Sequence, residues 1–319
     1  MKKSTNQRRK LNRLLSFILS LSMILSCMEG LSLRAWAEGE TVEAEDPIAE
    51  DPGVEEPDGA DYVEWTATDS LPTEAGSYKL MNDVTLSTAL WLRPAETGLM
   101  FVYDIDLNGK TITLEGDGKF NVGGETVSLR LKNGTIRSLG GKKEGAFILT
   151  ANSNFKSGNV IADKVKFSGG VTTSRYQAIC LSKCAYACSI TDCSFSGFRY
   201  AQGAAIYIQD TEMSISGTRF INNKGSRGGA IYAEGNKELN ISDCTFESNE
   251  SGYGGAIYSD NAKVIVTKTE MKYNKAENQG GAIFACGNVL DISDSKIHWN
   301  SVTGADSDQK SGAAIYCVE

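Results

Sequence analysis

GGAIY at Gly228–Tyr232, GGAIY again at Gly254–Tyr258 and GGAIF at Gly280–Phe284 are three copies of one short pattern. Weaker copies, both GAAIY, stand at Gly203–Tyr207 and Gly312–Tyr316. The central alanines of the five copies are separated by 25, 26, 26 and 32 residues. A period of this size is typical of one supersecondary unit that is repeated in series. The five copies therefore decide the fold class.

Each period also contains a second segment in which apolar and polar residues alternate, such as Leu239-Asn240-Ile241. This alternation is the pattern of a strand with one buried face. A bulky apolar residue follows five positions later, and an asparagine three positions after that. The apolar residues are Phe220, Phe246, Met271 and Ile297, and the asparagines are Asn223, Asn249, Asn274 and Asn300.

About three short strands in each period, with no sustained helical spacing, predict an all-β protein. A propeller blade needs about 40 residues or more, and a sandwich does not require equivalent residues at a constant period. A right-handed parallel β-helix does, because each coil stacks about 4.8 Å from the previous one. We therefore predict a right-handed parallel β-helix with about 25–26 residues per coil, roughly nine coils and an N-terminal cap.

Stacking of the coils would place equivalent residues in ladders. The four asparagines are expected to form an amide ladder whose side chains hydrogen-bond along the stack. An aromatic ladder would contain Tyr207, Tyr232, Tyr258, Phe284 and Tyr316. If Ile206 and its equivalents point inward, the tyrosines point outward and offer a strip for ring stacking with a ligand. The sequence leaves open the opposite orientation, with the tyrosines in the core.

A further column, three residues before each bulky apolar position, contains Asp192, Gly217, Asp243, Lys268 and Asp294. Adjacent carboxylates would repel each other, whereas Asp beside Lys is attractive. The alternation therefore predicts turn residues that are compatible with stacking, and we expect no cofactor. A Ca²⁺ ladder on Asp192, Asp243 and Asp294 is the alternative, although Lys268 interrupts it.

The N-terminal part of the chain differs from the repeats. Residues 1–37 combine a basic head, an apolar stretch and the small-x-small pattern Ala35-Trp36-Ala37, which predicts a signal peptide cleaved after Ala37. Cys27 offers an alternative lipoprotein cleavage site, which Leu25 fits poorly. Residues 38–61, with eleven acids, three prolines and no aromatic residue, are predicted to be a disordered acidic linker. Residues 62–100 would hold the N-terminal cap and first coil, and residues 101–319 the β-helix.

The chain is acidic, with 32 Lys and Arg against 40 Asp and Glu. Since the first 37 residues contain seven of those basic residues and one of those acids, the remainder has a formal charge of −14. This charge disfavours nucleic acid or an anionic membrane surface as a partner, and we expect no transmembrane segment. We expect a secreted or cell-surface protein, either a monomeric rod or part of a longer chain that continues past Glu319.

Seven cysteines follow the predicted cleavage site, and four of them are clustered at Cys180, Cys184, Cys188 and Cys193. No histidine is near, and the spacing is not a paired C-x-x-C zinc pattern. The favoured interpretation is small buried residues in tight strands, with one local disulfide as the alternative.

The alternation of GGA[ILV] with F-x-x-N resembles the repeats of polymorphic outer-membrane proteins and related bacterial β-helix adhesins. Both halves match at Phe220–Asn223 with Gly228–Ile231, and at Phe246–Asn249 with Gly254–Ile257. The segment DLNGKTI at Asp106–Ile112 looks like the early coils of large surface proteins from Gram-positive anaerobes. The resemblance covers about residues 100–316. It implies a secreted, surface-displayed protein that contacts host or matrix, and it identifies no ligand.

Two classes of function are compatible with these patterns. Stacking accounts for the repeat residues, which favours an adhesin-like scaffold that contacts host, matrix or polysaccharide through Tyr207, Tyr232, Tyr258 and Tyr316. The alternative is a polysaccharide lyase or glycoside hydrolase of the pectate-lyase-like type, because β-helices often host such enzymes. His298, the only histidine, has no nucleophile partner that the spacing suggests. The candidate acids for lyase or hydrolase chemistry are Asp192, Asp210, Asp243, Asp260 and Asp294.

Overall fold

The computed structural model describes residues 61–94, 99–140, 145–150, 158–170, 176–235, 237–287, 289–304 and 312–318. These ranges contain 29 strands and no helix. The predicted signal peptide and all but the last residue of the predicted acidic linker lie outside them.

The strands are short because each crosses one face of a coil before the chain turns. In chain order they are β1 Val63–Trp65, β2 Gly76–Leu80, β3 Val84–Leu86, β4 Ala89–Leu92, β5 Phe101–Asp106, β6 Thr111–Glu115, β7 Lys119–Val122, β8 Val127–Gly140, β9 Gly145–Thr150, β10 Asn159–Ser168, β11 Tyr176–Ser182, β12 Cys188–Thr191, β13 Ser194–Ser196, β14 Ile206–Gln209, β15 Met213–Ser216, β16 Arg219–Ile221, β17 Ile231–Glu234, β18 Glu238–Ser242, β19 Thr245–Glu247, β20 Glu250–Tyr253, β21 Ile257–Asp260, β22 Lys263–Thr267, β23 Glu270–Lys272, β24 Lys275–Gln279, β25 Ile283–Cys286, β26 Leu290–Ser293, β27 Lys296–His298, β28 Ser301–Val302 and β29 Ile315–Val318.

The GGAIY strands build one wall of a parallel solenoid. Nine strands stack in the order β4, β7, β9, β11, β14, β17, β21, β25 and β29. Nine stacked strands enclose about eight full turns, close to the roughly nine coils that the sequence predicts. The register aligns the isoleucines of the last five strands, Ile206, Ile231, Ile257, Ile283 and Ile315.

A 17-stranded sheet forms the other main wall and contains two parallel ladders. One ladder runs through β12, β15, β18, β22 and β26, and the other through β13, β16, β19, β23 and β27. The long strand β10 pairs with the first strand of both ladders. A three-stranded sheet of β20, β24 and β28 follows the F-x-x-N segment in three late coils.

The core lies inside the coils and is built from equivalent residues that stack. Ile206, Ile231, Ile257 and Ile283 are fully buried. The phenylalanines of the F-x-x-N column form a second buried stack, with ring centroids 4.6, 5.1 and 4.7 Å apart along Phe167, Phe195, Phe220 and Phe246. Each such ring buries a large apolar area, so this stack contributes strongly to the stability of the central coils.

The first glycine of each pair is required by the backbone. Gly203, Gly228, Gly254, Gly280 and Gly312 all have φ between 54° and 64°. At Gly254 an added Cβ would also overlap the carbonyl oxygen of Ile257. This double constraint explains why the first glycine stands in all five copies, whereas Ala204 and Ala313 replace the second one.

The segment predicted to hold the cap and first coil contains β1 to β4. β2 pairs with β5 of the next coil, and β1 pairs in parallel with β2, Val63 opposite Tyr78. Trp65 meets the Tyr78 ring edge-to-face at 5.8 Å. Leu71 is buried and belongs to the same core as the coils. The N-terminal segment therefore extends the hydrophobic core by one strand.

Candidate functional site

The outward face of the nine-stranded sheet carries the aromatic ladder. The isoleucine beside each aromatic residue points into the core, so the aromatic side chains lie on the opposite face of the strand. They form a separate small cluster in which Tyr232 is 2%, Tyr258 7% and Phe284 8% exposed, while Tyr207 and Tyr316 are half-buried. Ligand stacking needs exposed ring faces, and the two central tyrosines do not offer them.

The rings of this ladder contact one another from coil to coil. Tyr232 meets Tyr258 edge-to-face at 5.0 Å, and Tyr258 stacks on Phe284 at 4.9 Å with an interplanar angle of 1°. The guanidinium carbon of Arg227 lies 5.5 Å from the centroid of the Tyr258 ring. The ladder is therefore a packed aromatic layer with its phenol hydroxyls at the edge.

Two of those hydroxyls are directed at carboxylates on the next coil. The Tyr207 hydroxyl donates to Oε2 of Glu234 at 2.9 Å, and the Tyr232 hydroxyl donates to Oδ2 of Asp260 at 3.5 Å. Glu234 and Asp260 are themselves register partners on neighbouring strands. The result is a row of two phenol–carboxylate pairs on successive coils, in which each phenol proton is donated to a carboxylate and the oxygen atoms remain as acceptors.

Partial burial shifts the protonation equilibria of this row. Burial raises the pKa of Tyr258 to about 12, and burial together with the nearby Glu234 carboxylate raises the pKa of Tyr207 and of Tyr232. Burial, and then the charge of Glu234, raises the pKa of Asp260 as well. Tyr207, Tyr232 and Tyr258 are therefore neutral at physiological pH, and Asp260 gains a proton at a higher pH than an exposed aspartate does.

Of the five acids proposed for catalysis, Asp260 is the one that lies against the tyrosine ladder. Asp192, Asp243 and Asp294 occupy exposed turns on the other main wall, each with φ between 50° and 52°. Gly217, which follows Asp192 in the column, also has left-handed backbone with φ 57°, and a Cβ added there would require the Asp192 carboxylate to move. Asp210 has φ 45° and occupies a second turn of the same kind, where its Oδ1 would overlap a Cβ added to Gly235.

These turns do not gather metal ligands in the described ranges. Asp192 and Asp243 are separated by the coil that carries Gly217, and Asp243 and Asp294 by the coil that carries Lys268. Carboxylates two coils apart are roughly 10 Å from each other. Among the described residues, no three His, Cys, Asp or Glu side chains are grouped so as to hold a metal ion.

The cysteines occupy structural positions. Cys193 and Cys244 fall in a turn column with Thr218 and Thr269, and each thiol lies within hydrogen-bond distance of the carbonyl oxygen two residues earlier. A hydrogen bond with Cys184, together with burial, raises the pKa of Cys188. Cys188, Cys193, Cys244 and Cys317 are free thiols.

Sequence reasoning missed an exposed aromatic pair at a corner of the solenoid. Tyr273 and Trp299 occupy the third position of the F-x-x-N segments of two successive coils and stack with their ring centroids 5.1 Å apart. His298 Nε2 lies 3.1 Å from Glu270 Oε1 beside them. The signal was present in the sequence, because Asn222 and Ser248 hold the same position in the two preceding coils.

Comparison with known families agrees with this architecture. Residues 145–318 match the family described as the right handed beta helix region. The match covers more than half of the chain, and the protein belongs to this family of right-handed parallel β-helices. No curated protein and no solved structure matches the chain. None of the described residues form a helix with the length and apolar character of a membrane span.

Proposed function

We propose that this protein is a secreted, cell-surface β-helix scaffold that acts in the manner of an adhesin and contacts host, matrix or glycan. The supporting observation is the row of phenol–carboxylate pairs on the outward face of the nine-stranded sheet, where Tyr207, Glu234 and Asp260 are half-buried and Tyr232 is buried beside them. Tyr207 and Glu234 repeat, one coil later, as Tyr232 and Asp260. A repeated set of polar groups suits an extended ligand, because weak contacts on successive coils add along its length.

The predicted export signal and the repeat resemblance support the same proposal. The pattern at residues 1–37 predicts export, and the pairing of GGA[ILV] with F-x-x-N resembles the repeats of bacterial surface adhesins. The charge of −8 on the whole chain supports a partner other than nucleic acid. The predicted metal residues Asp192, Asp243 and Asp294 have no role in this proposal, and Ca²⁺ dependence would be a separate finding.

The test is a binding screen of the purified chain against a glycan array and a panel of extracellular matrix proteins. Tyr207→Phe keeps the half-buried ring and removes the hydroxyl, and we expect about tenfold weaker binding to the ligand that the screen identifies. Asn240→Ala, which alters the other main wall, is the matched control and should bind like the wild type. Failure of every glycan and matrix protein to bind would refute the proposal.

A second candidate function, polysaccharide lyase or glycoside hydrolase activity, is favoured by one observation. Asp260 has a pKa raised by burial and lies beside Glu234 on the neighbouring strand, and a carboxyl of raised pKa next to a second carboxylate is typical of acid–base catalysis. The test is reducing-sugar release and unsaturated-product absorbance with polygalacturonate, xylan and chitin. Turnover that is lost in Asp260→Asn and kept in Asp243→Asn would support it, whereas turnover unchanged in Asp260→Asn would exclude Asp260 as the acid.

A further inference from the structure

We infer that Tyr273 and Trp299 form a platform on which a neutral glycan stacks. This inference rests on the proposed function and names a ligand class and a second site for it, away from the tyrosine ladder. The two rings stack with an interplanar angle of 17°, and their residues are 50% and 66% exposed. Rings of this size, stacked and exposed, present a flat apolar surface that the fold does not cover.

The backbone conformation at this corner is energetically unfavourable for Tyr273 and Trp299. The corner has φ of 73° at Gly197, 55° at Asn222, 56° at Ser248, 58° at Tyr273 and 55° at Trp299. Left-handed backbone favours Gly and Asn and disfavours bulky side chains. Gly197 and Asn222 satisfy this preference, whereas the two aromatic residues oppose it and are also exposed. Solubility does not explain them, and their mutual stacking leaves half or more of each residue exposed, so contact with a ligand is a physical reason for the pair.

The exposed rings of Tyr273 and Trp299 lie on a lateral face of the solenoid. Asn222 and Ser248 are exposed at the same corner of earlier coils, so the corner faces solvent at successive levels. Trp299 covers one side of the Tyr273 ring, yet Tyr273 remains half exposed. The platform is therefore a lateral surface that an extended molecule can reach.

Polar groups border the platform. Lys272 Nζ lies 3.0 Å from Glu270 Oε2, and His298 Nε2 lies 3.1 Å from Glu270 Oε1. The His298 ring also meets the Trp299 ring with the centroids 4.3 Å apart. An apolar ring face with an ammonium, a carboxylate and an imidazole at its rim offers stacking for the C–H face of a pyranose and hydrogen bonds for its hydroxyls.

The net charge of the protein favours a sugar over a nucleobase as the ligand that stacks on the platform. Bases also stack on aromatic side chains, but nucleic acid binding depends on a positively charged surface. This chain carries a net charge of −8, and Lys272 at the rim lies within 4.0 Å of both Glu247 and Glu270. A neutral glycan is the stacking ligand that this surface fits best.

The test compares the wild-type chain with Trp299→Asn and Tyr273→Asn by calorimetric titration. The probes are cellohexaose, laminarihexaose and mannohexaose, with a decathymidylate oligonucleotide as the anionic stacking control. Asn222 occupies the same corner with the same backbone conformation, so both variants should fold with a Tm close to that of the wild type, because relief of backbone strain offsets the lost ring stacking. We expect one neutral hexaose to bind and each variant to bind it about tenfold more weakly.

Three results would overturn the inference. In the first, none of the three hexaoses binds to the wild-type chain. In the second, a hexaose binds and both variants retain that binding. In the third, the oligonucleotide binds more tightly than every hexaose. Sedimentation velocity adds a fourth, since self-association that Trp299→Asn abolishes would assign the platform to a second copy of the chain. If Tyr207→Phe weakens ligand binding and Trp299→Asn does not, the proposed function stands and this inference fails.

Discussion

The side-chain amide of Asn249 donates to Oδ1 of Asn274 at 2.9 Å, and both residues are fully buried. The same amide nitrogen donates to the carbonyl oxygen of Phe220 at 3.0 Å, and Oδ1 of Asn249 accepts from Asn223. One side chain thus links the Phe220 backbone on the preceding coil to an asparagine on the next. Such a chain of buried amides is strengthened along its length and is costly to interrupt.

Replacing Asn249 with Ala should therefore destabilise the solenoid strongly. The change leaves the amide of Asn223 and the carbonyl oxygen of Phe220 without their partner in a buried corner. We expect a loss of about 3 kcal/mol in the free energy of unfolding, measured by urea denaturation. Asn240→Ala is the control, because its amide bonds only Glu238 on a half-buried outer face, and it should cost under about 0.5 kcal/mol. Equal losses in the two variants would contradict the ladder's role.

Two glycines separate backbone strain from steric overlap. Gly109 has φ 74° and open space around an added Cβ, whereas Gly254 has φ 61° and an added Cβ would overlap the Ile257 carbonyl oxygen. We expect Gly109→Ala to cost about 1 kcal/mol from the left-handed backbone alone. Gly254→Ala should cost about 4 kcal/mol, because the overlapped atom belongs to the backbone. A lower denaturant midpoint for Gly109→Ala than for Gly254→Ala would contradict this separation of backbone strain from steric overlap.

The period made the fold predictable because stacking demands that equivalent residues meet. Ile231 and Asn249 could be assigned to their ladders from spacing alone. The pairing of Tyr232 with Asp260 also has a sequence signal, since Tyr258 and Asp260 lie two residues apart on one face of a strand. The burial of Tyr232 has no signal in the sequence, because it depends on what packs over the outer face of the sheet. The strain at Trp299 could be recognised only once its backbone φ angle was known from the structure.

The buried cysteines should react with thiol reagents more slowly than the exposed one. Burial raises the pKa of Cys193 to about 12 and that of Cys244 to about 11, so both are almost wholly protonated at pH 8. Cys317 is exposed on β29. We expect iodoacetamide to alkylate Cys317 in the native protein and to spare Cys193 and Cys244 until urea is added, as measured by peptide mass spectrometry. Native labelling of Cys193 as fast as Cys317 would show that its turn opens readily.

Asp260 should make stability depend on pH in the direction opposite to that of a salt-bridged acid. Its pKa is raised by burial and by Glu234, so between the unfolded and folded pKa values the folded state holds the proton more tightly. The free energy of unfolding therefore falls as the pH rises through that window, and the ionised group destabilises the fold at neutral pH.

Asp260→Asn removes this charge and keeps an oxygen that can accept from the Tyr232 hydroxyl. We expect a higher Tm than the wild type at pH 7, with the difference shrinking toward pH 3, where the wild-type carboxyl is protonated in both states. Asp243→Asn is the matched control, because Asp243 sits in an exposed left-handed turn that asparagine also tolerates. A Tm gain for Asp260→Asn that is the same at pH 3 and pH 7 would mean that packing, and not the buried charge, is responsible.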